Sequence, residues 1–462
     1  MDLIKTFTSV RHYIDWDQLE ATEGNYAFNP THKGGWNYDA IYERCKSEGI
    51  FILPCLKNTP DWIYNTFTLG GVDTDNLPLV AGSDRALPKS YIAMAKIGFQ
   101  LASRYGANKN VDTSLVKVNT KERWASDGHN EKKIGLNLIK YIECNNEPDK
   151  WWKGKRAQFS PAEYAASLSA FYDGHKGTLG KGVGVKVADP SIKVVLGGLA
   201  KPDVQYVKDI VEWCKKNRGY HKDGSVNLCF DVINFHMYSN QNPGGVLKYV
   251  SKKRGSAPEL TKMGEIADSF INYATLLGKQ IEVWSTELGY SLDPNSLQKS
   301  IAIGDKSPAL TEGDWILRSS FLYARHGLDK IFFYQLFDAD DTQAGANTFS
   351  KSGLSDGKKR RPAADYLLQT NKLIGEYSYV ETLNSDPIVD VYSLGNKKMH
   401  VLYIPDEVGR TEEFELNLKG AKKAKIYMLK VEANEMESKI VKVENGVLKL
   451  NITETPVFVE AI

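Results

Sequence analysis

Two glutamates in this chain close apolar runs and are followed by residues that turn the backbone. Glu147 lies in Lys140-Tyr-Ile-Glu-Cys-Asn-Asn-Glu-Pro-Asp149 and Glu287 in Ile281-Glu-Val-Trp-Ser-Thr-Glu-Leu-Gly289. Proline fixes its own φ and disfavours a helical conformation for the residue before it, so Glu147 is expected to stand extended at the carboxyl end of a strand. Two carboxyl groups on one rim, one protonated and one ionised, are the set needed to break a glycosidic bond. When configuration is retained they stand about 5 Å apart, one as acid and one as nucleophile. Taken singly, each has a plainer reading: Asn-Glu-Pro also begins an ordinary turn, and a glutamate before Leu-Gly also solvates a loop. Trp151 and Trp152 follow Glu147 closely. Adjacent tryptophans in an extended loop are hard to bury together, and an exposed ring is a platform for a sugar face.

Carboxylates on separate segments meet only if the fold brings strand ends together. Up to about residue 370 short β-branched or aromatic runs alternate with helical stretches, the pattern of a parallel sheet with crossover helices. Strands are expected at 8–13, 50–56, 138–144, 193–197, 232–236, 281–285 and 330–335. Helices are expected at 38–48, 89–105, 161–172, 204–216, 260–277, 315–326 and 363–373. Several of these end at a glycine, Gly49, Gly106, Gly278, Gly327 or Gly375, as a left-handed C-cap requires. The architecture is a TIM-type (β/α) barrel in which seven strands are visible and strand 1 is lacking or not evident. Residues 1–7 read as the tail of a helix feeding the strand at Thr8. After about residue 376 short extended runs are parted by Ser-Asp-Pro, Gly-Asn, Lys-Gly and Asn-Gly turns. That segment reads as an antiparallel β-sandwich, giving a barrel domain at 1–375 and a sandwich domain at 376–462. Without an exposed aromatic row, the sandwich reads as a packing domain.

Composition narrows the function classes. A formal charge of +2 with scattered lysines gives no support for nucleic-acid binding. The run Lys358-Lys-Arg-Arg361 reads as a solvated loop and helix start. No stretch approaches 18 apolar residues, so membrane insertion is not expected. Five dispersed cysteines read as buried small hydrophobes, neither a disulfide framework nor a metal site. The histidines form no HExxH motif, and no cofactor or metal is expected. Asp338, Asp340 and Asp341 could hold a hard cation, but their spacing fits no calcium loop and a solvated loop is the simpler reading. Arg123, Trp124, Asp127 and His129 lie in a polar insertion that could supply subsites. The glycines at 180–184 lack the strand-to-helix setting of a nucleotide loop and read as a turn.

With these residues in view, the chain resembles the clan A glycoside hydrolases, (β/α)₈ barrels with an acid/base glutamate in Asn-Glu-Pro after strand 4 and a nucleophile glutamate after strand 7. Ser9-Val-Arg-His-Tyr13 and Leu19-Glu-Ala-Thr-Glu-Gly-Asn-Tyr-Ala-Phe28 resemble the clan's second strand and the loop after it, with Ala21 in place of the usual proline. Leu56-Lys-Asn-Thr-Pro-Asp-Trp62 is similar to the loop after strand 3, Phe235-His-Met-Tyr238 to strand 6, and Phe332-Phe-Tyr-Gln-Leu-Phe337 to strand 8. The resemblance is nearest in feel to family 39. It implies Glu147 as acid/base, Glu287 as nucleophile, and Asn146 as donor to the sugar 2-hydroxyl. It also implies Arg11 and Tyr238 as tuning groups for Glu287, with His236, Trp62, Gln335 and Phe337 lining the site. Gln335 and Phe337 stand where many members carry a tryptophan. Arg11 could instead be a structural ion-pair partner. The implied partner is an oligosaccharide or polysaccharide, cleaved at a β-glycosidic or equivalent equatorial bond, and the expected location is secreted or periplasmic if a signal peptide has been removed. The alternative is a catalytically inactive carbohydrate-binding or scaffold protein that keeps the fold. The sugar, the mode of attack and the oligomeric state stay open.

Overall fold

The structure, a computed structural model, describes residues 3–67, 73–122, 128–240, 253–278, 281–339 and 349–462. Seven parallel strands form one sheet in sequence order: β1 (Ser9–Asp15), β2 (Phe51–Lys57), β3 (Tyr141–Cys144), β4 (Lys193–Leu196), β5 (Val232–His236), β6 (Glu282–Leu288) and β7 (Lys330–Phe333). Between them run α1 (Tyr38–Ser47), α2 (Ile92–Tyr105), α3 (Pro161–Asp173), α4 (Val204–Asn217), α5 (Met263–Leu276) and α6 (Pro308–Arg325), and α7 (Pro362–Ile374) follows β7. This is the TIM-type (β/α) order, with β1 at one end and β7 at the other. β5 is buried along its whole length, as a strand covered on both faces must be. No strand precedes β1 among the described residues; Ile4–Thr6 forms a single 3₁₀ turn.

The strand expected at 138–144 starts only at Tyr141. The N–H groups of Leu138 and Ile139 both donate to the Tyr105 carbonyl at the end of α2, which takes them out of the sheet. α6 starts seven residues earlier than the apolar pattern indicated, because the Ser307 side chain caps the Leu310 N–H and Pro308 takes the first turn. The glycine stops also divide. Gly49, Gly278 and Gly327 have the left-handed φ expected of a C-cap, whereas Gly106 is extended and Gly375 right-handed. Gly106 is required for space instead: a Cβ there would run into the Asp189 carboxylate and the Ala102 carbonyl.

The chain divides into two compact units, one of Thr8–His236 with Ser269–Thr286, the other of Met1–Phe7, Met237–Asp268 and Glu287–Ile462. The second contains the antiparallel sandwich. Its six-stranded sheet has the order β13-β12-β15-β10-β9-β8 and its two-stranded sheet pairs β11 with β14. These strands are β8 (Ser378–Ser385), β9 (Ile388–Leu394), β10 (Lys397–Tyr403), β11 (Glu412–Asn417), β12 (Lys423–Met428), β13 (Glu437–Lys442), β14 (Val447–Ile452) and β15 (Val457–Ala461). One core joins Leu402, Ile404, Leu416, Ile426, Leu448 and Val459 between the two sheets. Another joins Leu317, Phe321 and Tyr366 of α6 and α7 to Ile388, Tyr392, Val401, Tyr403 and Phe458. The alternation along β9, β10 and β15 therefore serves two apolar faces.

Candidate active site

In the first unit, Glu147 follows β3 by three residues, and its backbone differs from the extended form expected. Its φ is +49° and that of Asn145 is +70°, so the chain turns through two left-handed residues before Pro148. Such residues cost free energy and persist where the surroundings fix them. Here the Glu147 N–H donates to the Gly198 carbonyl at 3.1 Å, and the Asn146 N–H to the Asn145 side chain at 2.7 Å. Asp149, which is buried, accepts the Ala200 and Lys201 N–H groups at 2.8 Å each. Loops after β3 and β4 are thereby tied together beneath Glu147.

His236, at the end of β5 and almost wholly buried, places Nδ1 3.0 Å from Glu147 Oε1 and Nε2 3.1 Å from Thr286 Oγ1. Asn234 donates to the same threonine oxygen at 2.8 Å. The ring lies directly against Gly198, where a Cβ would occupy the ring's own space. Thr286 is the residue immediately before Glu287.

Glu143, on β3, joins these parts and was not singled out from the sequence. It is fully buried and receives Arg11 Nε at 2.6 Å, Arg11 Nη2 at 3.0 Å, the Gly198 N–H at 3.0 Å and Asn234 Nδ2 at 3.1 Å. Four donors compensate a charge that burial would otherwise make costly. Arg11 Nη2 also donates to Asn146 Oδ1 at 2.7 Å, which leaves the Asn146 amide nitrogen at the other end of the group. The available signal was a glutamate inside the apolar run Tyr-Ile-Glu-Cys and an asparagine inside Val-Ile-Asn-Phe-His, polar residues where a buried strand has none to spare.

In the second unit, Glu287 is buried and accepts the Tyr238 hydroxyl at 3.0 Å. Its carbonyl accepts the Met237 N–H at 3.1 Å, which sets Tyr238 beside it. Gly289 is needed because a Cβ would strike the Tyr334 carbonyl. Gln335 donates through Nε2 to the Phe349 carbonyl at 3.1 Å, while Phe337 is 40% exposed. Asp338 is paired to Arg361 at 2.6 Å and accepts the Gly353 N–H, so that carboxylate is committed to protein partners. Asp340 and Asp341 lie outside the described residues, as do Arg123, Trp124 and Asp127; His129 is exposed near Glu122.

Trp151 and Trp152 form a 3₁₀ turn and stand edge to face, 4.9 Å apart, each a little over half exposed. Trp62 is half-buried, its ring nearly at a right angle to that of Trp16 and 6.4 Å from it. A recess of about 20 Å³ is lined by Trp16, Lys57, Asn58, Asn76, Asn145 and Lys150. It has room for about one water.

No family model and no curated protein matches the chain. Solved structures do. A family 39 glycoside hydrolase from the gut symbiont Bacteroides cellulosilyticus WH2 is 16% identical, with a TM-score of 0.66 over all of this chain and 77% of its own. A family 30 endoxylanase from Clostridium papyrosolvens C71 is 12% identical, with a TM-score of 0.54 over all of this chain and 93% of its own. A conserved exported protein from Bacteroides fragilis, also 12% identical, aligns with 98% of this chain and 88% of its own at 0.54. At these identities the likeness is one of fold: the chain shares a (β/α) barrel with a C-terminal sandwich with these solved glycoside hydrolases.

Proposed function

We propose that the protein is a retaining glycoside hydrolase that cleaves a β-glycosidic or equivalent equatorial bond in an oligosaccharide or polysaccharide. The observation that carries this reading is the chain of contacts from Glu147 through His236 to Thr286, the residue bonded to Glu287. Glu147 follows β3 and Glu287 is the penultimate residue of β6, strands of one parallel sheet, and the carboxyl ends of such strands are where barrels build their sites. Glu147 protonates the leaving oxygen while Glu287 attacks the anomeric carbon, giving a covalent glycosyl-enzyme. Glu147, now ionised, takes a proton from water, and the hydroxide attacks the same carbon to release the sugar with its configuration retained. One imidazole tautomer serves the ionised state: Nδ1–H donates to Glu147 and Nε2 accepts the Thr286 hydroxyl proton, leaving that oxygen to accept from Asn234.

Arg11 turns the Asn146 amide so that its nitrogen can donate to the sugar 2-hydroxyl, a bond that strengthens as charge develops on the ring. Tyr238 orients Glu287, and Arg11 adds positive charge to the site. Trp151, Trp152, Trp62 and Phe337 offer ring faces to sugar units, and the barrel domain at 1–375 is coupled to the sandwich domain at 376–462 through the apolar core that α6 and α7 share with it. The proposed location is secreted or periplasmic, in keeping with the exported Bacteroides fragilis protein of the same fold. No helix among the described residues is long and apolar enough to cross a membrane.

A panel of nitrophenyl glycosides and plant, algal and host glycans tests the reading, with product stereochemistry followed by NMR. Activity with retention in the wild type, and loss by about 10³-fold or more in Glu147→Gln and Glu287→Gln, is expected. Unchanged turnover in Glu287→Gln would sink the assignment. The seven-stranded sheet favours one second reading, a carbohydrate-binding protein without turnover. Glycan binding without hydrolysis of any member of the panel would select it.

A further inference from the structure

Cys214, in the last turn of α4, and Cys229, three residues before β5, are both fully buried with their sulfurs 3.4 Å apart. The segment between them is fastened at its base. Arg218 donates to the Asn227 carbonyl at 3.0 Å and to its side chain at 3.0 Å, and reaches Asp173 of α3 at 2.7 and 2.9 Å. The Asn227 N–H donates to the Gly219 carbonyl, closing the same neck. Both cysteines are therefore held at one separation by contacts that do not involve sulfur. A disulfide has an S–S distance of about 2.05 Å, so rotation of the two side chains has little more than about 1 Å to close. The Cys229 hydrogen bond lowers the Cys214 thiol below its ordinary range, with burial opposing and the Arg218 charge assisting, which favours Cys214 as the attacking sulfur.

We propose that Cys214 and Cys229 are a covalent cross-linking site that takes a low-molecular-weight disulfide as its oxidant. The Cys214 thiolate attacks one sulfur of the reagent RSSR, forming a mixed disulfide and expelling RS⁻. The Cys229 thiolate then attacks Cys214 Sγ, forming the internal bond and expelling the second RS⁻. The two protons from the protein thiols end on the two RS⁻ groups, so RSSR is reduced to 2 RSH as the pair is oxidised. Exchange takes place late in folding, once the Arg218 neck has set Cys214 beside Cys229 and before both sulfurs are covered. The product joins the end of α4 to the segment leading into β5, the strand that carries His236. This site stands apart from the glycosidase reading and does not depend on it.

The test uses the full chain, refolded from denaturant in mixed reduced and oxidised glutathione, quenched with N-ethylmaleimide and analysed by mass before and after denaturation. Of the five cysteines three are expected to take the label, with peptides holding Cys214 and Cys229 linked in the non-reduced map. The oxidised protein is expected to melt a few degrees higher than the reduced one. That difference should vanish in the Cys214→Ser, Cys229→Ser double variant. Labelling of all five cysteines once the refolded, oxidant-treated protein is denatured in N-ethylmaleimide, or a bond joining other cysteines, overturns the proposal, and neither outcome requires a variant to fold.

Discussion

Glu143 illustrates how a residue that never touches substrate can govern one that does. Its carboxylate holds Arg11 through two bonds, and Arg11 holds the Asn146 amide, so the orientation of the proposed 2-hydroxyl donor is set two side chains away. Glu143→Gln keeps the shape but removes the charge that fixes the guanidinium. Turnover is expected to fall by about 10²-fold, the scale of a misplaced site. A general loss of packing would slow a glycoside and its 2-deoxy analogue alike. If Glu143 acts through Asn146, the variant loses most of the wild type's discrimination between the two, measured as the ratio of kcat/KM values. An unchanged ratio rejects that role. Asn145 and Glu147 were legible as residue types but not as conformations: the Pro148 rule pointed to an extended Glu147, and the Gly198 carbonyl holds it left-handed. A contact with a loop some fifty residues away is invisible to a local rule.

At the scale of elements, the turn after β4 is a place where glycine is needed for space. Gly198 carries Glu143 on its N–H, Glu147 on its carbonyl and the His236 ring against its α-carbon. Gly198→Ala is expected to displace the ring, costing about 1–3 kcal/mol of stability by overpacking and much of the activity. A variant with wild-type kcat/KM would show that the His236 position is dispensable. α6 carries a different burden. Both carboxylate oxygens of Glu312 are buried without a hydrogen-bond partner among the described residues. Burial pushes its carboxyl up to about 8, opposed by the Arg361 charge and assisted by that of Asp338. The folded protein thus keeps this proton where the unfolded chain, near its ordinary 4.5, releases it. Its contribution to stability is fullest below about 4.5 and is lost as pH rises towards about 8. Glu312→Gln, neutral throughout, is expected to be more stable than wild type at pH 8 and to flatten the decline between pH 5 and pH 8 in denaturant unfolding. Parallel curves for the two proteins would contradict this account.

At the scale of the whole molecule, the helices of the last two (β/α) repeats share a core with the sandwich. Leu317, Phe321 and Tyr366 pack on Ile388, Tyr392, Val401 and Phe458, and the fully buried Asp390 pairs with Arg325 at 2.9 Å. A chain ending at residue 375 would expose that apolar face and leave Arg325 without its carboxylate. It is expected to be insoluble or to bind hydrophobic dyes, while the full chain does neither; a soluble, cooperatively melting 1–375 fragment would refute this coupling. The sequence by itself determined the element order, because strand and helix periodicities are local and every strand core is apolar enough to stand out. It also marked Glu147 and Glu287, since each ends such a run beside a residue that turns the chain. Only the tertiary structure decided what surrounds them. Glu143, Asn234, Gly198 and Thr286 act through hydrogen bonds between strands far apart in the chain. The energy of those bonds depends on distance and burial, which residue spacing along one strand does not carry.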